Sequence, residues 1–282
     1  MAIYYVSAQT GDDGDNGTTA ALAKATLQAG LDLISAAGDI VYVAPGTYRE
    51  QVNLSSAVNG GSGDHIKIIG DPDCEQFPGE KRGVIRVTFT DANDFLDNTN
   101  TTTNTNVIYL NKQWIEIHNF HVDGGGHHMV TATVGGTTQL NAFGIRAQYD
   151  GRANAYNCLT QCMGYGYYRV NTVNCINLGG QYGFYQGEKH TNSVSVGGYT
   201  GFYFSDVAVD CLAIGAGLGD FWNNDAVVGC AAIGGNTGFR GSSGDRVYDS
   251  MVMGAQVGFN GGSQGTGGMQ VSGSYISGCQ FL

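Results

Sequence analysis

Proline is nearly missing from this chain, with three in 282 residues, and charge is sparse, at 13% Asp, Glu, Lys and Arg. Glycine moves the other way, with 46, but follows no Gly-X-Y period, which excludes a collagen-like chain. A hydrophobic content of 42% argues against disorder. Only 13 basic residues stand against 24 acidic ones, for a net charge of −11. Such a balance repels phosphate backbones and anionic lipid, so neither nucleic acid nor a membrane is an expected partner. No segment has the unbroken apolar length that spans a bilayer. The opening Met1-Ala2-Ile3-Tyr4-Tyr5-Val6-Ser7 lacks the basic and apolar regions of a secretory signal. Seven cysteines include no Cys-x-x-Cys pair. The closest two, Cys158 and Cys162, have no histidine beside them, which removes a zinc-site reading.

What is present is a repeat. Gly-aromatic pairs recur at Gly166-Tyr167, Gly183-Phe184, Gly201-Phe202, Gly238-Phe239 and Gly258-Phe259, and Phe221 fills the missing beat. A second series, Cys158, Cys175, Ser193, Cys211, Cys230 and Ser250, keeps step at gaps of 17, 18, 18, 19 and 20 residues. Two series drifting together mean one structural unit per repeat. A period near 20 is too short for paired helices and suits one coil of a β-solenoid. The phased aromatics then form an internal stack, and the phased cysteines a ladder of small, reduced core residues.

The N-terminal part reads differently. Ile3 to Ser7 is a strand, Gly11 to Gly17 an acidic turn, and Ala20 through Ala37 a helix, with Leu22, Leu27, Leu31 and Ile34 at helical spacing. Gly38-Asp39 ends that helix, and short strands follow at Asp39–Val43, Val52–Leu54, Ile66–Ile69, Val84–Val87, Val107–Leu110 and Trp114–Ile117. We expect a strand-helix cap over residues 1–38 and a single all-β right-handed parallel β-helix over 39–282, a rod about 50–60 Å long. Loop excursions are expected at 70–82 and 123–140, with the Asn/Thr run from Asn98 to Asn106 as a third loop.

Tyr4-Tyr5-Val6-Ser7, Gly17-Thr18, Thr26-Leu27-Gln28, Gly38-Asp39-Ile40-Val41-Tyr42-Val43 and Pro45-Gly46-Thr47-Tyr48-Arg49-Glu50 resemble the entry to pectate-lyase-like right-handed parallel β-helix proteins. The resemblance covers about the first 70 residues, and Ile66-Lys67-Ile68-Ile69-Gly70 fits the next coil. The later coils are shorter than that family's, which leaves a left-handed β-helix as the alternative for the C-terminal part. The resemblance implies a scaffold and carries no catalytic residue over. The Arg-x-Pro-x-x-Arg element of its lyases is missing, and of the polygalacturonase motifs only an Asp-Asp occurs, at Asp12-Asp13.

Candidate chemistry is thin. Asp206, Asp210, Asp220 and Asp225 could pair across neighbouring coils as glycosidase carboxylates, against their reading as ordinary turn residues. His118, His121, His127 and His128 gather near Glu116 and Asp123, but alternation turns Glu116 and His118 to solvent. Asp12-Asp13-Gly14-Asp15-Asn16-Gly17 lacks the ligand spacing of a calcium loop. Tyr165, Tyr168, Tyr185, Tyr199 and Tyr203 fall outside the internal stack and are the candidates for contact with a sugar or a protein.

The sequence thus assigns no catalytic residue, cofactor or metal. It points to a non-enzymatic bacteriophage virion component, a capsid decoration or tail-associated protein made in the bacterial cytoplasm. Its expected partners are copies of itself, as a homo-oligomer and most plausibly a trimer, other capsid or tail proteins, and a host surface glycan. The alternatives are a polysaccharide lyase or glycoside hydrolase of the tailspike kind, and a carbohydrate-binding adhesin.

Overall fold

The computed structural model describes residues 1–54, 58–88, 105–124, 131–134, 137–140, 142–161, 164–241, 244–261 and 269–278. Short apolar segments punctuated by residues that accept positive φ wind into coils. Each full coil gives one strand to each of three parallel sheets. Residues Asn171–Val173 lie in sheet A, Ile176–Leu178 in sheet B and Tyr182–Tyr185 in sheet C, and Lys189–Thr191 returns to sheet A. Sheet A holds 11 strands, sheet B 10 and sheet C 9. Pairing is in register between successive coils, as in Phe184 with Phe202 and Ala208 with Val227. Ten spacings of about 4.8 Å along sheet A give a rod of about 48 Å.

The interior explains why two marker series run together. Tyr167, Phe184, Phe202, Phe221, Phe239 and Phe259 stack with ring centroids 4.5 to 5.1 Å apart. A large ring in every coil leaves room only for small side chains opposite, and Ala155, Ala208, Ala213, Ala232, Cys175 and Cys230 take it. The glycine that precedes five of the six rings answers the same crowding. A Cβ at Gly201 would meet the Asp220 carbonyl oxygen at 2.6 Å. Tyr167, the one stack member with a hydroxyl, donates it to the Cys158 carbonyl at 2.7 Å. In the earlier coils the core is filled by Ile66, Ile68, Ile115, Ile117 and Ile145 together with Phe120.

The turn from sheet A to sheet B is tight and left-handed. Asn157, Asn174, Asn192, Asp210 and Asp249 hold φ between +47° and +55° there. Asn and Asp tolerate that conformation best after glycine. Asn174 also donates to the Asn157 side chain at 3.3 Å, so the turns tie one coil to the next.

At the N-terminus the structure shortens the expected helix. Only Leu27–Leu31 is α-helical, with a 3-10 turn at Ala20–Leu22. The intervening backbone has better partners elsewhere: Lys24 bonds Tyr5 and Ser7 along the first strand, and the Asp13 carboxylate accepts from Ala25 and Thr26. Ile3–Val6 pairs in register with Ile40–Val43 and so opens sheet A. The helix closes the end of the core with Leu27 and Leu31, and Gly30 lets it approach Val6 without collision. The 70–82 excursion folds back instead of projecting, since Phe77 packs against Tyr5 and Thr10 bonds Glu80 at 2.7 Å. In the second excursion Thr131–Val134 and Thr137–Leu140 form an antiparallel hairpin. Of the expected Asn/Thr loop, Thr105 and Asn106 instead begin the strand Thr105–Leu110, and 98–104 lie outside the described residues, as do His127 and His128.

Candidate functional site

Sheet C carries an unusual outer face. Its strands read aromatic-Gly-aromatic-aromatic in Tyr165–Tyr168 and Tyr182–Tyr185, with the middle two residues inward and the outer two turned out. Successive coils therefore align outward rings. Phe143, Tyr165 and Tyr182 stack at 4.7 and 5.0 Å, and beside them Tyr168 stacks on Tyr185 at 5.2 Å. Tyr203 meets Tyr185 edge-on at 5.3 Å and stacks on Tyr182 at 5.1 Å, and Trp222 follows it at 4.8 Å. A guanidinium closes each end: Arg146 sits 4.7 Å over Phe143 and Arg240 4.3 Å over Trp222. Rings stacked on one another present edges and phenolic hydroxyls outward. Bare ring surface is added by Tyr199 and Phe204, each 44% exposed. Burial and the neighbouring phenols push the Tyr182 hydroxyl up to about 12, and Tyr165 moves the same way. These phenols are hydrogen-bonding groups at neutral pH, not bases.

Along one edge of this face, in the turns from sheet C to sheet A, lies a groove of about 370 Å³ lined by Asp150, Gln186, Gly187, Glu188, Phe204 and Asp206. Its three carboxylates come from three coils. Glu188 reaches past the intervening coil to Gly151, where any Cβ would collide with its carboxylate. Arg169 holds Asp150 at 3.1 Å, bonds Gln186 at 3.2 Å and lies over Tyr168, which joins groove to ladder. Asp206 has its acidity weakened, first by partial burial and then by the charges of Asp225 and Asp150. A carboxyl of weakened acidity facing other carboxylates across a groove is an arrangement that general acid catalysis can use.

The backbone of this turn marks the groove a second time. Arg169, Gln186 and Phe204 have φ of +60°, +56° and +55°. At the A-to-B turn the same conformation is met with Asn, Asp or Gly; here it is imposed on three bulky side chains. Left-handed backbone costs such residues about 1–2 kcal/mol each. Strain of this kind gathers where a side chain is wanted for its contacts.

The sequence candidates scatter accordingly. Tyr165, Tyr168, Tyr185, Tyr199 and Tyr203 do come together, and Asp206 lines the groove with Asp225 acting on it. Asp210 sits in the A-to-B turn, away from the groove. Asp220 is fully buried in the place of a repeat glycine, where burial pushes its carboxyl up to about 8 while Ala216 N–H donates to it at 3.1 Å. It belongs to the core. On sheet A, Glu116 accepts from His65 at 2.8 Å and His118 at 3.3 Å, and His118 stacks on Tyr156 at 4.5 Å. Burial raises Glu116, but both histidines and Lys67 outweigh it and leave the acid stronger than usual. The expected solvated pair is therefore a half-buried ionic cluster. Asp123 is buried against Arg86, and among the described residues no group of three or more His, Cys, Asp or Glu is placed to hold a metal. Asp150, Glu188, Tyr182, Phe204 and Trp222 are members that sequence reasoning missed. The outward phase of Tyr182, seventeen residues after Tyr165, was legible; the groove carboxylates were not.

No family model matches the chain, and no curated protein matches it. Solved structures do. A rhamnogalacturonan lyase superposes over 96% of this chain and 73% of its own, with a TM-score of 0.57 at 17% identity. The GH136 lacto-N-biosidase from Eubacterium ramulus superposes over 100% of this chain and 68% of its own, with a TM-score of 0.57 at 12% identity. The fold is the pectin-lyase-like right-handed parallel β-helix. Identities this low establish architecture and leave activity to be argued from the site.

Proposed function

We propose that the protein binds a neutral glycan along the aromatic face of sheet C and hydrolyses a glycosidic bond at the adjoining groove. The observation that carries this reading is the outward ladder of rings beside a groove that holds three carboxylates. Amphipathic rings with phenolic hydroxyls suit sugars, which offer C–H faces and hydroxyls together. Asp206, whose acidity is weakened by partial burial and by the charges of Asp225 and Asp150, donates to the leaving oxygen. Glu188, not engaged by Arg169, serves as the second carboxylate, while Asp150 with Arg169 orients the ladder end of the groove. An anionic groove disfavours uronates, which is why the substrate class is neutral. The raised tyrosine phenols weigh against a tyrosine base and so against β-elimination.

That both similar folds are carbohydrate-active enzymes supports a carbohydrate role over the non-enzymatic one expected from sequence. The expected place in a bacteriophage virion draws no support from them, and this reading does not need it. The test is a screen of neutral oligosaccharides for new reducing ends, with binding followed in parallel by calorimetry. Hydrolysis that is lost in Asp206→Asn with binding retained is the expected result. Binding without cleavage of any bound glycan would sink the hydrolase and leave an adhesin. No binding to any glycan would sink both.

A further inference from the structure

The outer face of sheet B inverts the usual pattern of a β-strand. In Leu159–Gln161, Ile176–Leu178 and Val194–Val196 the inward residues are Thr160, Asn177 and Ser195, each buried, while the outward side chains, Gln161 excepted, are aliphatic. The interior polar atoms are partly served by one another: Thr160 Oγ1 bonds Asn177 Oδ1 at 3.0 Å, and Asn177 donates to the Gly179 carbonyl at 2.8 Å. The outward aliphatics have no such account within one chain. Ile176, Leu178 and Met253 are 40%, 38% and 37% exposed, and Val196, Leu212 and Ile214 between them are half-buried by their neighbours on the same face. From Leu159 to Ser277 the outward positions of sheet B include no charged residue, in a chain whose net charge is −11.

We propose that this face docks a second copy of the chain. Three features choose that occupant. First, two copies that each carry −11 repel one another everywhere except across a neutral surface, and sheet B supplies one. Second, its side chains lie in rows about 4.8 Å apart, set by strand spacing, so the rows of one copy mesh with the equally spaced rows of another. A partner without that period would leave gaps. Third, seven strands give a strip about 29 Å long. A rod of the same period can lie along that whole length, which a partner of another shape cannot. Two such sheets would pack face to face at about 10 Å, as in a sandwich. The ladder and groove lie on another face of the rod, so pairing leaves them open and the inference does not rest on the glycan reading.

The experiment is sedimentation velocity on the whole chain at micromolar concentration. Wild type is expected to run as an assembly of two or more copies, and Leu178→Glu with Leu212→Glu as a monomer with unchanged far-ultraviolet circular dichroism. Lys189→Glu, on sheet A, should leave the assembly intact. A second measurement needs no variant: carbene footprinting of wild type should show Ile176, Leu212 and Met253 protected when concentrated and labelled on dilution. A monomeric wild type overturns the proposal. So does an assembly that survives the double substitution in a folded chain, or one whose sheet B is labelled equally at both concentrations.

Discussion

Sheets B and C are built by the same coils and differ on the outside. From Leu159 onward the outward residues of sheet B are uncharged and mostly aliphatic. On sheet C they are aromatic, end in arginines and adjoin carboxylates. Inside, the two are parts of one core, and the buried Phe stack of sheet C is what obliges sheet B to turn small residues such as Ser195 and Ala213 inward. The difference teaches that the repeat fixes the interior, where every coil must fit the next, and leaves the outer faces to diverge. Function is to be sought where the sequence is not compelled by packing.

The sharpest way to break that division is to compare Phe202 with Tyr203, adjacent in one strand and opposite in direction. Phe202→Ala removes a ring stacked at 4.5 and 4.8 Å from its neighbours and should destabilise by about 3–5 kcal/mol in urea unfolding. Tyr203→Ala should cost about 1 kcal/mol or less and instead weaken glycan binding severalfold by calorimetry. Equal losses of stability would erase the distinction between interior and ladder.

Next in size is the groove. Asp206→Asn should lower the turnover rate by about a hundredfold or more, whereas Asp210→Asn, in the A-to-B turn, should leave it unchanged. A loss of similar size in both would point to folding and not to chemistry.

The two turns offer a finer comparison. Phe204→Gly relieves a left-handed phenylalanine and should raise stability by about 1 kcal/mol while weakening glycan affinity. At the other turn Asn192→Gly should change stability by only a few tenths of a kcal/mol, because asparagine already accepts φ of +47°. A destabilised Phe204→Gly protein would show that the ring is wanted for packing alone.

The smallest effects concern pH. Burial pushes the Asp220 carboxyl up to about 8 from its usual 3.8, so its contribution is fully present below about 3.8 and is lost as pH rises through about 8. Asp220→Asn keeps the acceptor for Ala216 N–H without that loss, and its melting temperature should exceed wild type by a few degrees at pH 8 and match it near pH 4. His190, buried between Thr172 and Ser205 at 2.9 Å each, is pushed by burial to about 3 from 6.5. Its contribution is present above about 6.5 and is lost as pH falls toward about 3, which a His190→Gln variant should flatten in acid melts. A difference between Asp220→Asn and wild type that does not grow with pH would rule out a buried, protonated carboxyl.

Much of the fold was legible because a solenoid writes its period into the chain. The Gly-aromatic and Cys/Ser series located coils, inward phase and stack, since a residue that must touch its counterpart in the next coil recurs at coil length. The helix was overextended because its Ala/Leu pattern was local, while the bonds from Lys24 to Tyr5 and Ser7 that unwound its first half were not. The outward tyrosines were legible as the phase left over from the stack. Asp150 and Glu188 were not, because their meeting depends on the length of each C-to-A turn and on Glu188 reaching past a coil to Gly151.

The repeat, the parallel β-helix, the internal aromatic column and the tyrosines excluded from it can all be read along the chain, because they are consequences of periodic packing. Three-dimensional packing put Asp206 in a groove with Asp150 and Glu188 and made Asp220 part of the core. It also decided that the apolar outer face of sheet B is continuous. Those outcomes depend on which turns stack over which, and a turn's position across the rod is set by the accumulated lengths of every coil before it, not by the residues of the turn.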